Sequence, residues 1–168
     1  MLRAQGSLRI RSDHEIPGTS YGTPKEIWGF RTPPQRGNAV TAARSLLAAN
    51  EARLGLTGLT FGTPRRLRSL GAHHVIFAQE IAGKPVHRAY VTVHLDRRNR
   101  IYLIKNRAVP LPFLPSTERP FSLSRDRARA RALRSVREGR RVEARVLDMR
   151  ECWFPRRKRV IPAYRVRV

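Results

Sequence analysis

The sequence holds a single cysteine, Cys152, so no disulfide can form within the chain and no multi-cysteine zinc site can be built. It holds no run approaching the ~18 apolar residues of a membrane-spanning helix. It is also poor in acid, with 12 Asp and Glu against 35 Lys and Arg, a formal net charge of +23 at pH 7. Nearly all of the excess is arginine. Such a surplus repels itself when compact and attracts polyanions, anionic membrane surfaces or an acidic protein partner. It can equally follow from base composition in the gene. Apolar residues make up 40% of 168, which suffices for a packed core in one domain or two small ones. The start, Met1 to Gly18, has basic residues but no apolar stretch of the secretory type, so no signal peptide is visible.

Signatures of catalysis are missing too. The zincin pattern needs two histidines four apart on a helix, with a glutamate beside the first. The nearest fragment, His14-Glu15-Ile16-Pro17-Gly18, lacks the second histidine, and its proline would damage the helix. No serine sits between glycines at the spacing of a nucleophile elbow. No glycine-rich loop ends in Lys-Ser or Lys-Thr. Cys152, beside Trp153 and Phe154, reads as a small core residue rather than a nucleophile, since only nearby arginine would lower its pKa. The scattered acids nominate no carboxylate pair. The expectation is a protein that is not an enzyme and needs no cofactor.

What the chain does have is strand pattern, concentrated between Gly71 and Asp96. Val75 and Phe77 alternate with other residues on one run, and Val91, Val93 and Leu95 alternate with Tyr90, Thr92 and His94 on the next. The break at Ala82-Gly83-Lys84 makes the pair an antiparallel hairpin. A second turn at Asp96 to Asn99 leads to a third strand, Arg100 to Ile104, completing a β-meander. Ahead of it, Asn38 caps a helix predicted to run to Leu54, with Val40, Ala43, Leu46, Leu47 and Leu54 as its apolar stripe and Gly55 as its stop. Arg65 to Leu70 is predicted as an edge strand, where arginines also discourage edge-to-edge pairing.

Residues 1–37 carry prolines and glycines without period and read as an irregular lead-in, with Ile27, Trp28 and Phe30 as a small apolar knot. A proline-rich connector over 108–120 is the best domain boundary. Beyond it, Ser124 opens a helix to about Glu138 with Gly139 as its stop. A strand follows over Val142 to Met149, then a turn region from Cys152 to Arg159, then a closing strand from Ile161 to Val168. The fold class expected is α+β: a helix packed on an antiparallel meander over 38–107, followed by a smaller helix-plus-antiparallel-strands module over 121–168.

His74 and His94 are predicted to project from one face of adjacent strands. Two imidazoles without a fixed carboxylate or thiolate make a poor zinc site, and exposed strand positions suit them, so no metal is predicted. The arginines cluster at Arg65, Arg66 and Arg68, at Arg97, Arg98 and Arg100, at Arg140 and Arg141, and at Arg156, Arg157, Lys158 and Arg159. They are candidate contacts to a partner or a polyanion. Read blandly, they are solvated surface, and no reading helix or interleaved aromatic face accompanies them.

The hairpin also carries a resemblance. His74-Val75-Ile76-Phe77-Ala78-Gln79, the turn Gly83-Lys84-Pro85-Val86 and Val91-Thr92-Val93-His94-Leu95-Asp96 follow a helix at Ala42 to Asn50, and together they resemble the fungalysin/thermolysin propeptide domain. Leu123-Ser124 and the closing Pro162 to Val168 look like the PepSY-type module that usually follows it. Family hairpin positions are thus His74, Val75, Phe77, Gln79, Gly83, Pro85, Val86, Val91, Val93, His94 and Asp96. The resemblance implies binding to a zinc metalloprotease catalytic domain as folding aid and inhibitor, in a secreted or periplasmic setting. In that family the catalytic domain follows the propeptide, and none is expected after Val168. The expectation is therefore a relative acting in trans or a product of a split precursor gene, with a true start upstream of Met1 or a different fate. The alternatives are a basic nucleic-acid or polyanion binder of unrelated fold, and a nonfunctional fragment.

Overall fold

The computed structural model describes residues 8–10, 14–16, 21–115, 120–140 and 143–168. Pro17, residues 116–119 of the connector, Arg141 and Val142 lie outside them. The protein is α+β and built around one mixed sheet. Its elements in chain order are β1 (His14–Ile16), β2 (Glu26–Trp28), α1 (Ala39–Ala49), α2 (Glu51–Leu54), β3 (Thr60–Phe61), β4 (Arg65–Ser69), β5 (Ala72–Ile81), β6 (Lys84–Leu95), β7 (Ile101–Asn106), a 3-10 turn at Leu111–Phe113, α3 (Arg125–Arg140), β8 (Asp148–Arg156) and β9 (Arg159–Arg167).

Strands β5, β6 and β7 are antiparallel neighbours, with Val75 opposite Val93 and Val93 opposite Ile104. The β5–β6 turn falls on Ala82 and Gly83, with φ of 49° and 72°. Two consecutive positive φ values give the tight turn whose twist matches a right-handed hairpin. Strand β4 lies on the outer edge of β5, all five residues exposed.

One apolar cluster joins Val75, Phe77, Val91, Val93, Leu95, Ile101 and Ile104 of the sheet with Ala39, Ala42, Ala43, Leu46 and Leu47 of α1. Each fully buried leucine or isoleucine of this cluster contributes about 1.5–3 kcal/mol of transfer free energy. The Asn38 side chain accepts from the N–H groups of Val40 and Thr41, at 2.9 and 3.0 Å, which closes the helix start.

The helix predicted to reach Leu54 breaks at Asn50. The buried Asn50 amide accepts from Ile10 N–H at 2.9 Å and donates to the carbonyls of Leu8 and Leu46, at 2.8 and 2.7 Å. Its backbone, at φ −126° and ψ 20°, has left the helical basin. The side chain serves the incoming segment, and the chain restarts as the single turn α2, closed by Gly55 at φ 65°.

That segment corrects the lead-in as well. Within 1–37, β1 and β2 add to the free edge of β7, and Ile10 and Ile27 are core residues. Three-residue strands are too short to show a period, and β2 is recruited by an edge it cannot display on its own.

The second half departs further. Residues 143–147 form no regular strand, and of the segment predicted as a turn, Cys152 to Arg159, the first part to Arg156 is the second half of β8, with Cys152 and Trp153 buried, while the rest does hold the turn. The turn is Arg157-Lys158, and β8 and β9 pair from Asp148–Arg167 to Arg156–Arg159. The prolines mislead here: Pro155 and Pro162 sit opposite Val160 and Trp153, in a hairpin whose outer edge needs no N–H. Helix α3 starts at Ser124, whose carbonyl accepts from Ala128 N–H at 3.0 Å, and continues through Gly139, which did not stop it. A glycine costs a helix interior about 1 kcal/mol but ends it only by turning left-handed.

The sheet is mixed, not two antiparallel pieces, because β6 changes partners. Between its Pro85–Glu80 and Tyr90–Ala78 pairings, surplus residues bulge out of the β5 ladder. Val86 there makes a parallel bridge to Trp153.

Candidate partner-binding surface

Alternation sorts the hairpin motif onto two faces. Val75, Phe77, Val91 and Val93 point into the core. His74, Ile76, Tyr90, Thr92 and His94 point the other way, joined across the register by Leu67 and Arg65 of β4 and by Leu103 and Lys105 of β7. Leu67 is 46% exposed, and Ile76, Tyr90, His94 and Leu103 are half-buried. This face has His74, His94 and Thr92 at its centre, Leu67, Ile76, Tyr90 and Leu103 around them, and Arg65 and the Lys105–Glu26 ion pair toward its edges.

His74 and His94 are direct cross-strand partners, with Nδ1 atoms 2.7 Å apart, and Ser69 Oγ lies 2.6 Å from His74 Nε2. One Nδ1 must carry the proton and the other accept it, so the contact holds with neutral rings or with one cation, not two. His94 Nε2 is buried with no hydrogen-bond partner among the described residues. Burial first, then the charges of His74 and Lys105, bring its pKa down to about 4. Among the described residues no group of three or more His, Cys, Asp or Glu could hold a metal ion. Chemically, the chain of contacts fixes tautomers and rotamers. Ser69 is the member that sequence reading missed, because only the β4–β5 register brings it to His74.

The other motif positions are structural. Gln79, fully buried, donates to Val109 O at 2.9 Å and accepts from Val109 N–H at 2.8 Å. Gly83 shapes the turn, while Pro85 and Val86 carry β6 toward β8. Asp96 Oδ1 accepts from the N–H groups of Arg98 and Arg100, and Oδ2 from Arg100 Nε at 2.7 Å. Burial pushes this carboxyl up, but those bonds outweigh it and hold its pKa below the usual range. Buried Cys152 has its thiol pKa raised by burial, so it is not an activated nucleophile.

The arginines do not merge into one patch. Arg65, Arg66 and Arg68 line edge strand β4, with Arg66 and Arg68 on the face opposite Arg65. Arg97 comes near that strand's end, since a Cβ on Gly71 would run into its guanidinium. Arg100 pairs its guanidinium with Asp96, and Arg98 reaches that carboxylate only through its backbone N–H. Arg156, Arg157, Lys158 and Arg159 sit at the separate β8–β9 turn, where Tyr21 donates to Arg157 O at 3.3 Å.

Residues 68–108 match the family model described as the Fungalysin/Thermolysin Propeptide Motif. The match runs from the end of β4 through the hairpin and β7, the stretch that carries the sequence resemblance. Among solved structures, the Bacillus megaterium YpeB C-terminal domain is similar at 10% identity and a TM-score of 0.42. That alignment covers 86% of this chain and 61% of that one. No curated protein matches. No helix among the described residues is long and apolar enough to cross a membrane.

Proposed function

We propose that this protein is a non-catalytic, propeptide-like partner of a zinc metalloprotease catalytic domain, aiding its folding and holding it inactive. The observation that carries the reading is the propeptide-motif match over residues 68–108, which coincides with β5, β6 and β7. The finer architecture proposed is a helix laid on the meander's inner face over 38–107, a connector over 108–120 and a PepSY-like module over 121–168. With α1 on one side, the docking surface is the opposite face, where Leu67, Ile76, Tyr90 and Leu103 supply apolar area and Arg65 and Lys105 the polar rim. The dispersed arginines, including Arg97 and Arg156 to Arg159, would speed encounter with an acidic protease surface more than they add affinity. A secreted or periplasmic location goes with this role.

The test mixes the purified chain with metalloproteases of the same genome and reads refolding yield and peptidase activity. Saturable inhibition or improved refolding that persists at about 0.15 M salt, where the screening length is ~8 Å, is the expected result. No effect on any of them, together with salt-sensitive binding to DNA, would replace the reading with that of a polyanion binder.

A further inference from the structure

A cavity of about 380 Å³ opens where four separated parts of the chain meet: Tyr21, Thr23 and Lys25 before β2, His87 and Arg88 on the β6 bulge, Asn106 to Val109 from the end of β7 onward, and Phe154 and Pro155 of β8. Its size falls within the range of small-molecule sites, roughly 300–1,000 Å³. Its lining contains Lys25, Arg88 and Arg107 and no carboxylate. Two lysines outside the lining, on β6 and β7, do find acids, Lys84–Glu151 at 3.1 Å and Lys105–Glu26 at 3.4 Å. Among the described residues no carboxylate pairs with the three cavity cations, although Arg107 lies over the Tyr90 ring at 5.9 Å.

The rest of the wall is flat and apolar. His87 stacks on Phe154 with centroids 5.6 Å apart and planes 23° apart, and Tyr21 packs against Phe113 at 4.9 Å. Ala108 and Val109 form the floor, and the Asn106 amide is spent on Leu54 O and Ala108 N–H, so it shapes the wall. Arg88 holds φ at 57°, a left-handed conformation that an unbranched L-residue adopts at a cost of about 1–2 kcal/mol. The bulge that imposes it re-aims the side chains of β6 at the cavity. Burial, then the charges of Arg88 and Arg165, hold the His87 pKa below its ordinary value.

We propose that this cavity is a binding site for a small organic anion with a flat apolar body, such as an aryl phosphate or aryl carboxylate. The anionic head pairs with Arg88 and Lys25, and the ring lies against Phe154 and Tyr21. The inference stands apart from the protease-partner reading, because none of the cavity's lining residues is among those proposed for docking, although Arg107 adjoins Tyr90.

Isothermal titration of the full chain at about 0.15 M salt tests it with phenyl phosphate, benzoate, inorganic phosphate and phenol. The expected result is saturable one-to-one binding of phenyl phosphate or benzoate, with inorganic phosphate and phenol each weaker by about tenfold or more. Arg88→Gln and Lys25→Gln should each weaken binding by about tenfold, the scale of one charge-assisted contact, while Arg137→Gln, at an exposed position on α3, leaves it unchanged. Thermal melts of each variant separate loss of the site from loss of the fold. Absence of saturable binding, equal affinity for inorganic phosphate, or folded Arg88→Gln and Lys25→Gln variants that bind like the parent would each overturn the proposal.

Discussion

The two halves of the molecule use the same ingredients, a helix and antiparallel strands, with different results. In the first, Leu46 and Leu47 of α1 are buried with Val75, Val91, Val93 and Ile104 in one cluster that also takes in Ile10 and Ile27. In the second, α3 buries nothing completely among its described side chains: Ala128, Ala132, Leu133 and Val136 are half-covered and the rest exposed. Of the three buried hairpin residues, Cys152, Trp153 and Val160, the last two belong to a small cluster with Val86, Ala89 and Val109. The second half is thus secured to the first half more than to its own helix. A short apolar supply was spent on one core, and the arginine-rich remainder was attached to it at a few points.

Trp153 is the strongest of those points. It is 3% exposed, donates Nε1–H to Ile81 O at 3.1 Å and forms the parallel bridge with Val86. Trp153→Ala should cost about 3–5 kcal/mol, a large share of the ~5–15 kcal/mol that holds a domain folded. Hydrogen exchange should show β8 and β9 losing protection while β5 to β7 retain theirs. Equal loss in both halves would mean that they fold as one unit and that the comparison fails.

Gln79 is the next point, and it works from the opposite side. Both of its amide atoms are used by Val109, whose backbone opens the connector between the halves. Gln79→Ala leaves a buried N–H and C=O without partners, a loss of about 1–3 kcal/mol. Gln79→Glu keeps the acceptor but sets a carboxylate oxygen against Val109 O, and should be at least as damaging. Urea denaturation reads both, and Gln79→Glu more stable than Gln79→Ala would contradict the geometry.

These contacts also mark where sequence legibility ends. The hairpin, its turn at Ala82-Gly83, the Asn38 cap and the shared face of His74 and His94 were readable because each is local: a period, a turn residue, a cap. The family match over residues 68–108 falls on that readable stretch. What was not readable depends on remote partners. Asn50 breaks a well-patterned helix because Leu8 and Ile10 arrive from 40 residues earlier. Ile27 is core because β7 presents an edge, and Trp153 is a strand residue because β6 bulges to meet it. The cavity gathers Tyr21, Arg88 and Phe154, which no spacing relates.

A smaller effect separates the two halves by pH. His94 belongs to the first, facing His74, Lys105 and Glu26, and its pKa is lowered from 6.5 to about 4 in the folded chain. Below the unfolded value the unfolded chain takes up a proton that the folded chain refuses. The contribution of neutral His94 is therefore complete above about pH 6.5 and drains away as pH falls toward about 4. Because His94 is only half-buried, solvent keeps the effect modest. His73, shifted the same way by burial and then by Arg68, Arg66 and His74, adds with the same sign. In denaturation midpoints measured from pH 7 to pH 4, His94→Gln should show a shallower decline than the parent, and parallel curves would refute the assignment.

The smallest expected effect is the most diagnostic of the contrast. Leu46 and Leu133 are leucines on the inward faces of α1 and α3, and the sequence pattern treats them alike. Leu46→Ala empties a fully buried site and should cost about 2–5 kcal/mol. Leu133 is only half-covered. Its site is already open to water, so Leu133→Ala creates no closed cavity and should cost less than about 1 kcal/mol. The pair is measured by urea denaturation under one condition, with amide exchange of α3 as the local readout. A Leu133→Ala loss as large as that of Leu46→Ala would mean that α3 closes over the β8–β9 hairpin in solution and builds a second core of its own.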